Sequence, residues 1–289
     1  MCLRPLTPAE GQNRVAEAKQ LRERVQEGAT AAEREAGLNG IVQFVNAVGR
    51  PSEPFVVPLL PAVLKALAEK DASVKDAASK AGDAVMASLN PAAIKVVMPH
   101  LLEVMEPGVK PQTKMGALGF LSTLADTCTD EVSLCLPEIV PAVTECMTDI
   151  KKDLSQLATD TLVKCCGAVG NKDIEPFIPN LVRCIAKPEE VQDCVHKLAA
   201  TTFVQAVDAK TLALLVPLLL RGLAERSTPI RRKSCVIIDN MAKLVDSPVD
   251  ALEFANLLTP HVDKAVKEMS NPEARSMAER AAATLAQVA

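Results

Sequence analysis

The fold class this sequence predicts is all-α: a right-handed α-solenoid of about seven stacked helix pairs. Three observations carry it. A proline returns at Pro58, Pro99, Pro137, Pro179, Pro217 and Pro260, at intervals of 41, 38, 42, 38 and 43 residues. The second and sixth residues after each are apolar: Leu60 and Leu64, Leu101 and Met105, Ile139 and Val143, Leu181 and Ile185, Leu219 and Leu223, Val262 and Val266. The chain is 48% hydrophobic but only 2% aromatic, with no Trp and no Tyr. Positions four apart share a face of a helix of about 3.6 residues per turn, so every unit carries an apolar stripe. A period near 40 residues with such a stripe is that of paired helices in the HEAT or armadillo class. Aliphatic packing without aromatics also argues against propellers and sandwiches.

Taken in order, Val15 to about Gly28 reads as a helix of mixed charge. Ala31 to Val48, with Leu38, Ile41, Val42, Val45 and Val48, reads as the second helix of an irregular first pair. Residues 1–50 are therefore expected to form an N-terminal capping unit and 51–289 the regular array. From Pro54 onward, helix A of each unit carries the recurring proline. Its missing N–H should kink the helix or start it there. The B helices are expected to begin near Asp71, Thr113, Ile150, Val191, Ser227 and Asn271. Ser227-Thr228-Pro229 offers a hydroxyl cap followed by a first-turn proline, and Asn271-Pro272-Glu273 adds an acid at the positive end of the helix dipole. Ile230, Ile237, Met241, Leu244 and Val245 are expected on one helical face.

With a net charge of −4, the chain is no general coat for nucleic acid, and any contact with RNA must be local. The scarcity of aromatics argues against a base-stacking platform. Nine cysteines, two of them adjacent at Cys165 and Cys166, fit buried, reduced thiols better than a disulfide framework. There is no Cys-x-x-Cys. The residues from Met1 to Pro8 run into a polar stretch without an apolar core, so no secretory leader is expected. No run of about 18 apolar residues occurs, so no membrane span is expected either.

Catalytic signatures are missing. No Gly-Lys-Ser/Thr, Gly-x-Gly-x-x-Gly, Gly-x-Ser-x-Gly or His-Glu-x-x-His occurs, and His100, His196 and His261 fall in different units. No cofactor, metal or small-molecule substrate is called for, and the chain is not expected to be an enzyme. One charge cluster stands out. Arg221, Arg226, Arg231, Arg232 and Lys233 stand against Glu225 alone, a local net charge of +4 around one A-to-B turn. Such a cluster in an acidic chain suits contact with a phosphate backbone, while a solvated turn is the plain alternative. Lys151 and Lys152, at the corresponding turn two units earlier, are candidates to extend it, although Asp149 and Asp153 flank them.

Several stretches resemble the N-terminal HEAT region of translation elongation factor 3, the ribosome-associated ATPase family. They are Leu89–Leu101 (LNPAAIKVVMPHL), Asn171–Leu181 (NKDIEPFIPNL), Ala200–Val204 (ATTFV), Val216–Arg226 (VPLLLRGLAER) and Arg231–Met241 (RRKSCVIIDNM). The similarity runs over roughly residues 45–285. The resemblance implies a HEAT solenoid that docks on the ribosome in the cytoplasm, touching ribosomal RNA and ribosomal proteins. In the complete factor, ATP hydrolysis in two cassettes helps release deacylated tRNA. This sequence stops at Ala289, ahead of the position of those cassettes, so the implied role is docking without catalysis. Two alternatives stand beside it. One is the elongation-factor-3-like region of a general-control sensor of stalled ribosomes; the other is a protein-only HEAT scaffold.

Overall fold

The computed structural model describes residues 8–288. The first seven residues, on which the reading of no leader rests, lie outside the described residues, as does Cys2 among the cysteines. Helices follow one another in pairs. Helices α1 (Pro8–Glu27) and α2 (Ala31–Val48) form the first pair. In the second, α3 (Glu53–Val56), a 3-10 turn at Val57–Leu59 and α4 (Leu60–Ala66) precede α5 (Ala72–Ser88). The third is α6 (Ile94–Glu103) with α7 (Pro111–Thr127). The short α8 (Thr129–Ser133) leads to the fourth, α9 (Leu136–Met147) with α10 (Lys152–Cys165). Then come α11 (Ile178–Ala186) with α12 (Val191–Ala199), α13 (Ala209–Ala224) with α14 (Thr228–Ala242), and α15 (Pro248–Glu268) with α16 (Pro272–Val288). The described residues thus contain the seven pairs expected and no strand. An isolated parallel bridge joins Val207 to Val245.

The chain divides into two compact units, residues 1–132 with 151–161 and residues 133–150 with 162–289. In the first, α2 packs on both α1 and α5, and α5 packs on α4 and α7. In the second, α13 touches α9, α11, α12, α14 and α15, while α16 covers α14 and α15. The apolar stripes read from the sequence make the core. Of the twelve residues two and six after the recurring proline, all are buried but Val266, which is half-buried. No single helix among the described residues is long and apolar enough to cross a membrane.

The recurring prolines occupy two kinds of position. Pro137 and Pro179 sit in the first turns of α9 and α11, where an absent N–H leaves nothing unsatisfied. Pro99, Pro217 and Pro260 lie inside α6, α13 and α15, and Pro58 occupies the 3-10 turn that splits α3 from α4.

The caps are mixed. Asn271 Oδ1 accepts from the Ala274 amide at 3.0 Å, as its sequence context implies. Ser227 does not cap α14 through its side chain. Pro229 removes one of the amides a cap would take, and the Ile230 amide closes onto the Ser227 carbonyl at 3.1 Å instead. Asn271→Ala is therefore expected to destabilise the protein by about 1 kcal/mol and Ser227→Ala hardly at all. Urea unfolding of the two variants side by side checks this, and equal losses would refute it. Leu244 and Val245 also depart from expectation. Because α14 ends at Ala242, they fall in the following turn, where the Leu244 carbonyl accepts from the Val207 amide at 2.8 Å.

Close helix contacts need glycine at two places. A Cβ on Gly82 of α5 would stand 1.9 Å from the Phe120 ring of α7, and one on Gly222 of α13 would stand 2.3 Å from Ser234 Oγ of α14. The cysteines behave as small core residues. All eight in the described residues are buried.

Candidate functional site

The basic turn is built by α13, the three residues 225–227 and the first turns of α14. Asp208 fixes the start of α13 by accepting from the Thr211 amide at 2.9 Å. The apolar face of that helix (Leu212, Leu215, Leu219 and Leu223) is buried, which sends Arg221 to its flank. There Arg221 donates to the carbonyl of Cys184 in the last turn of α11, so its charge meets the negative end of the preceding A helix. Glu225 accepts from Gln192 Nε2 of α12 at 3.1 Å. Arg226, at the tip of the turn, is exposed, with no ion pair among the described residues.

The three consecutive cations diverge. Arg231, with its side chain only 12% exposed, pairs with Glu268 at the end of α15, Nη2 to Oε2 3.0 Å. Arg232 pairs with Glu273 in the first turn of α16, Nη2 to Oε1 2.6 Å. Each keeps a buried Nε–H without an acceptor among the described residues, so neither guanidinium has used all its donors. Lys233 turns the other way and donates to Nδ1 of His196 on α12. The carboxylates of Glu268 and Glu273 halve the local net charge of +4 to +2. The turn is thus a set of ties to the pairs on either side, with Arg226 its most open cation. Lys151 and Lys152 belong to the other compact unit, where both are exposed at the start of α10.

Sequence reading missed a second polar centre on the same helix. Asp239 of α14 is 1% exposed. Its Oδ2 meets Lys243 Nζ at 2.7 Å and Arg280 Nε at 2.9 Å, and its Oδ1 accepts from Thr284 Oγ1 at 2.6 Å. Burial alone would raise this carboxyl. The hydrogen bonds from Lys243 and Thr284 and the charges of Lys243 and Arg280 outweigh burial and hold it below the ordinary carboxylate value of 3.8. The signal was the period itself. Thr284 lies 45 residues from Asp239, Glu268 lies 37 from Arg231 and Glu273 lies 41 from Arg232. Shifting Arg231, Arg232 or Asp239 by about one repeat finds its partner.

Chemistry is suppressed at the thiol beside the turn. Burial pushes Cys235, just after the three cations, up to about 12, so it stays protonated at neutral pH and is no nucleophile. No cluster of metal-ligating side chains occurs among the described residues.

Residues 10–162 match the family described as EF3 N-terminal HEAT repeat, and residues 189–289 match the one described as Elongation factor 3/GNC1 HEAT repeat. The chain belongs to the elongation factor 3 HEAT-repeat family. Elongation factor 3 of Zygosaccharomyces rouxii is 46% identical over 236 residues, 82% of this chain and 23% of its own length. The Phytophthora infestans factor is 43% identical over 233 residues, 81% and 22% of the two lengths. The Eremothecium gossypii factor is 42% identical over 272 residues, 93% and 26%. The chain therefore spans about a quarter of the length of these elongation factor 3 relatives. Both matched families are HEAT-repeat families, and the second holds the basic turn and Asp239. The family match begins at residue 10, so α1 and α2 belong to it although the resemblance read from the sequence starts near residue 45. Among solved structures, the archaeal HEAT-like repeats protein from Thermococcus onnurineus NA1 aligns over 99% of both chains at 13% identity, with a TM-score of 0.36.

Proposed function

We propose that this chain is a ribosome-docking HEAT module acting in translation elongation in the cytoplasm. It performs no catalysis itself, and it contacts ribosomal RNA and ribosomal proteins. In this reading residues 1–50 cap the array and 51–289 supply the docking surface. The observation that supports it most is the placement of the basic turn inside the part matched to elongation factor 3. Arg226 is the primary contact with a phosphate. Arg221, Arg231, Arg232 and Lys233 hold the turn and add field to it, and Lys151 and Lys152 form a second, independent basic point. Association then has a salt-dependent electrostatic component, since phosphate contacts release counterions. A region of a general-control ribosome sensor would dock by the same chemistry. The second family's description, which couples elongation factor 3 with GNC1, keeps that reading beside the first.

Ribosome co-sedimentation across a salt series tests the proposal. Changing Arg231, Arg232 and Lys233 together to Ala is expected to weaken binding and to flatten the slope against log salt by about 1 for each phosphate no longer neutralised. Some stability goes with them, about 0.5 kcal/mol for a partly exposed ion pair. Two further variants separate structure from direct phosphate binding. Arg226→Ala is expected to weaken binding without moving the melting temperature. Glu268→Gln with Glu273→Gln, which frees two guanidiniums, is expected to tighten it. Parent-like affinity and slope in all three variants would reduce the turn to a structural tie.

A further inference from the structure

A groove runs between three A helices of the second unit. Its floor is Val140 of α9, Leu212 and Val216 of α13, and Phe254 of α15, all buried. It has a volume of about 370 Å³. It reaches solvent, since Pro141, Glu145, Glu253 and Leu257 line it and are exposed, Leu257 at 51%. The two outer helices stand on either side of α13, which packs on both α9 and α15, while the short, nine-residue α11 packs only on α9 and α13 of the three.

Two features give the groove a chemistry. Every charged residue that lines it is acidic: Glu145 from α9, and Asp250 and Glu253 from α15. None of the three is in an ion pair among the described residues, so their field is not neutralised from within. The lining is also rich in proline. Pro141 and Pro217 lack an N–H, so the carbonyls four residues earlier, on Pro137 and Ala213, lose their usual helical donor. Both of those residues line the groove as well.

We infer that this groove is a docking site for a protein partner that presents a short amphipathic helix with an apolar face flanked by lysine or arginine. An apolar floor between helices accepts anchors at i, i+3, i+4 and i+7 of a partner helix. A carboxylate rim on both walls selects cationic flanks and repels nucleic acid, so the groove and the basic turn take partners of opposite charge. The inference does not depend on the ribosome, and its test leaves ribosomes out.

The probe is a fluorescein-labelled synthetic peptide of Leu and Lys, with Leu at i, i+3, i+4 and i+7, titrated with the 289-residue chain and followed by anisotropy. The expected result is saturable binding that is at least tenfold weaker for a scrambled peptide and for one with Glu in place of Lys. Reversing the rim with Glu145→Lys and Glu253→Lys is expected to weaken the Lys peptide at least tenfold and to strengthen the Glu peptide. Both side chains are exposed, so the variant keeps its core. Filling the floor with Ala213→Phe is expected to weaken both peptides, with circular dichroism as a check on its fold. Absence of binding, equal binding of the scrambled peptide, or an affinity within twofold after charge reversal would each overturn the inference.

Discussion

Asp239→Asn is expected to lower stability by about 2 kcal/mol at pH 7, the loss associated with hydrogen bonds to a buried charged group. The carboxylate gathers Lys243, Arg280 and Thr284, and so ties α14 to α16. Asparagine keeps one acceptor for Thr284 but turns an amide toward two cations. The loss is also expected to depend on pH. The carboxyl is held below 3.8 in the folded chain, so as the pH falls the unfolded chain takes up the proton first. The stabilisation is therefore complete above about pH 4 and disappears as the pH drops through the lower, folded value. Urea unfolding of parent and variant from pH 7 downward should give curves that draw together as the pH falls below 3.8. Curves that stay parallel throughout would mean that the ionised carboxylate adds nothing.

Gly82→Ala should also destabilise by about 2 kcal/mol, the range for forcing extra volume into a packed core. The sign makes this informative, since helix propensity by itself favours Ala over Gly by about 1 kcal/mol. The added methyl would lie 1.9 Å from Cζ of Phe120, whose ring is buried between α5 and α7 with 4% exposure. Pairing the change with Phe120→Leu is expected to reduce its penalty by at least about 1 kcal/mol, because the two residues share one space. Should Gly82→Ala cost the same in both backgrounds, the ring is not what the glycine makes room for.

The helices were legible because their signals are local. The recurring proline with its apolar partners marks the A helices, and Ser227-Thr228-Pro229 or Asn271-Pro272 marks where a B helix begins. The charged turn could be located but not interpreted. Arg231, Arg232 and Lys233 read as one patch along the chain. In space they separate, two toward Glu268 and Glu273 and one toward His196, because consecutive helical residues point about 100° apart. Asp239 went unseen for a related reason. A single acid in the apolar run VIIDNM has no local partner except Lys243, and the residues that justify its burial stand a whole repeat away. The groove was hidden more completely. Nothing in the chain announces that α11 is short enough for α9 and α13 to meet.

The buried thiols turn the protein into its own clock. Cys128, Cys135, Cys146, Cys165, Cys166, Cys184, Cys194 and Cys235 run through consecutive helix pairs, each shielded by its neighbours. A reagent can reach such a sulfur only during an excursion that parts the helices around it, so labelling at each position follows the local opening equilibrium. In an array whose pairs contact mainly their neighbours, those excursions can differ from one pair to the next. The order in which the eight sulfurs react is then a map, in time, of where the chain loosens first.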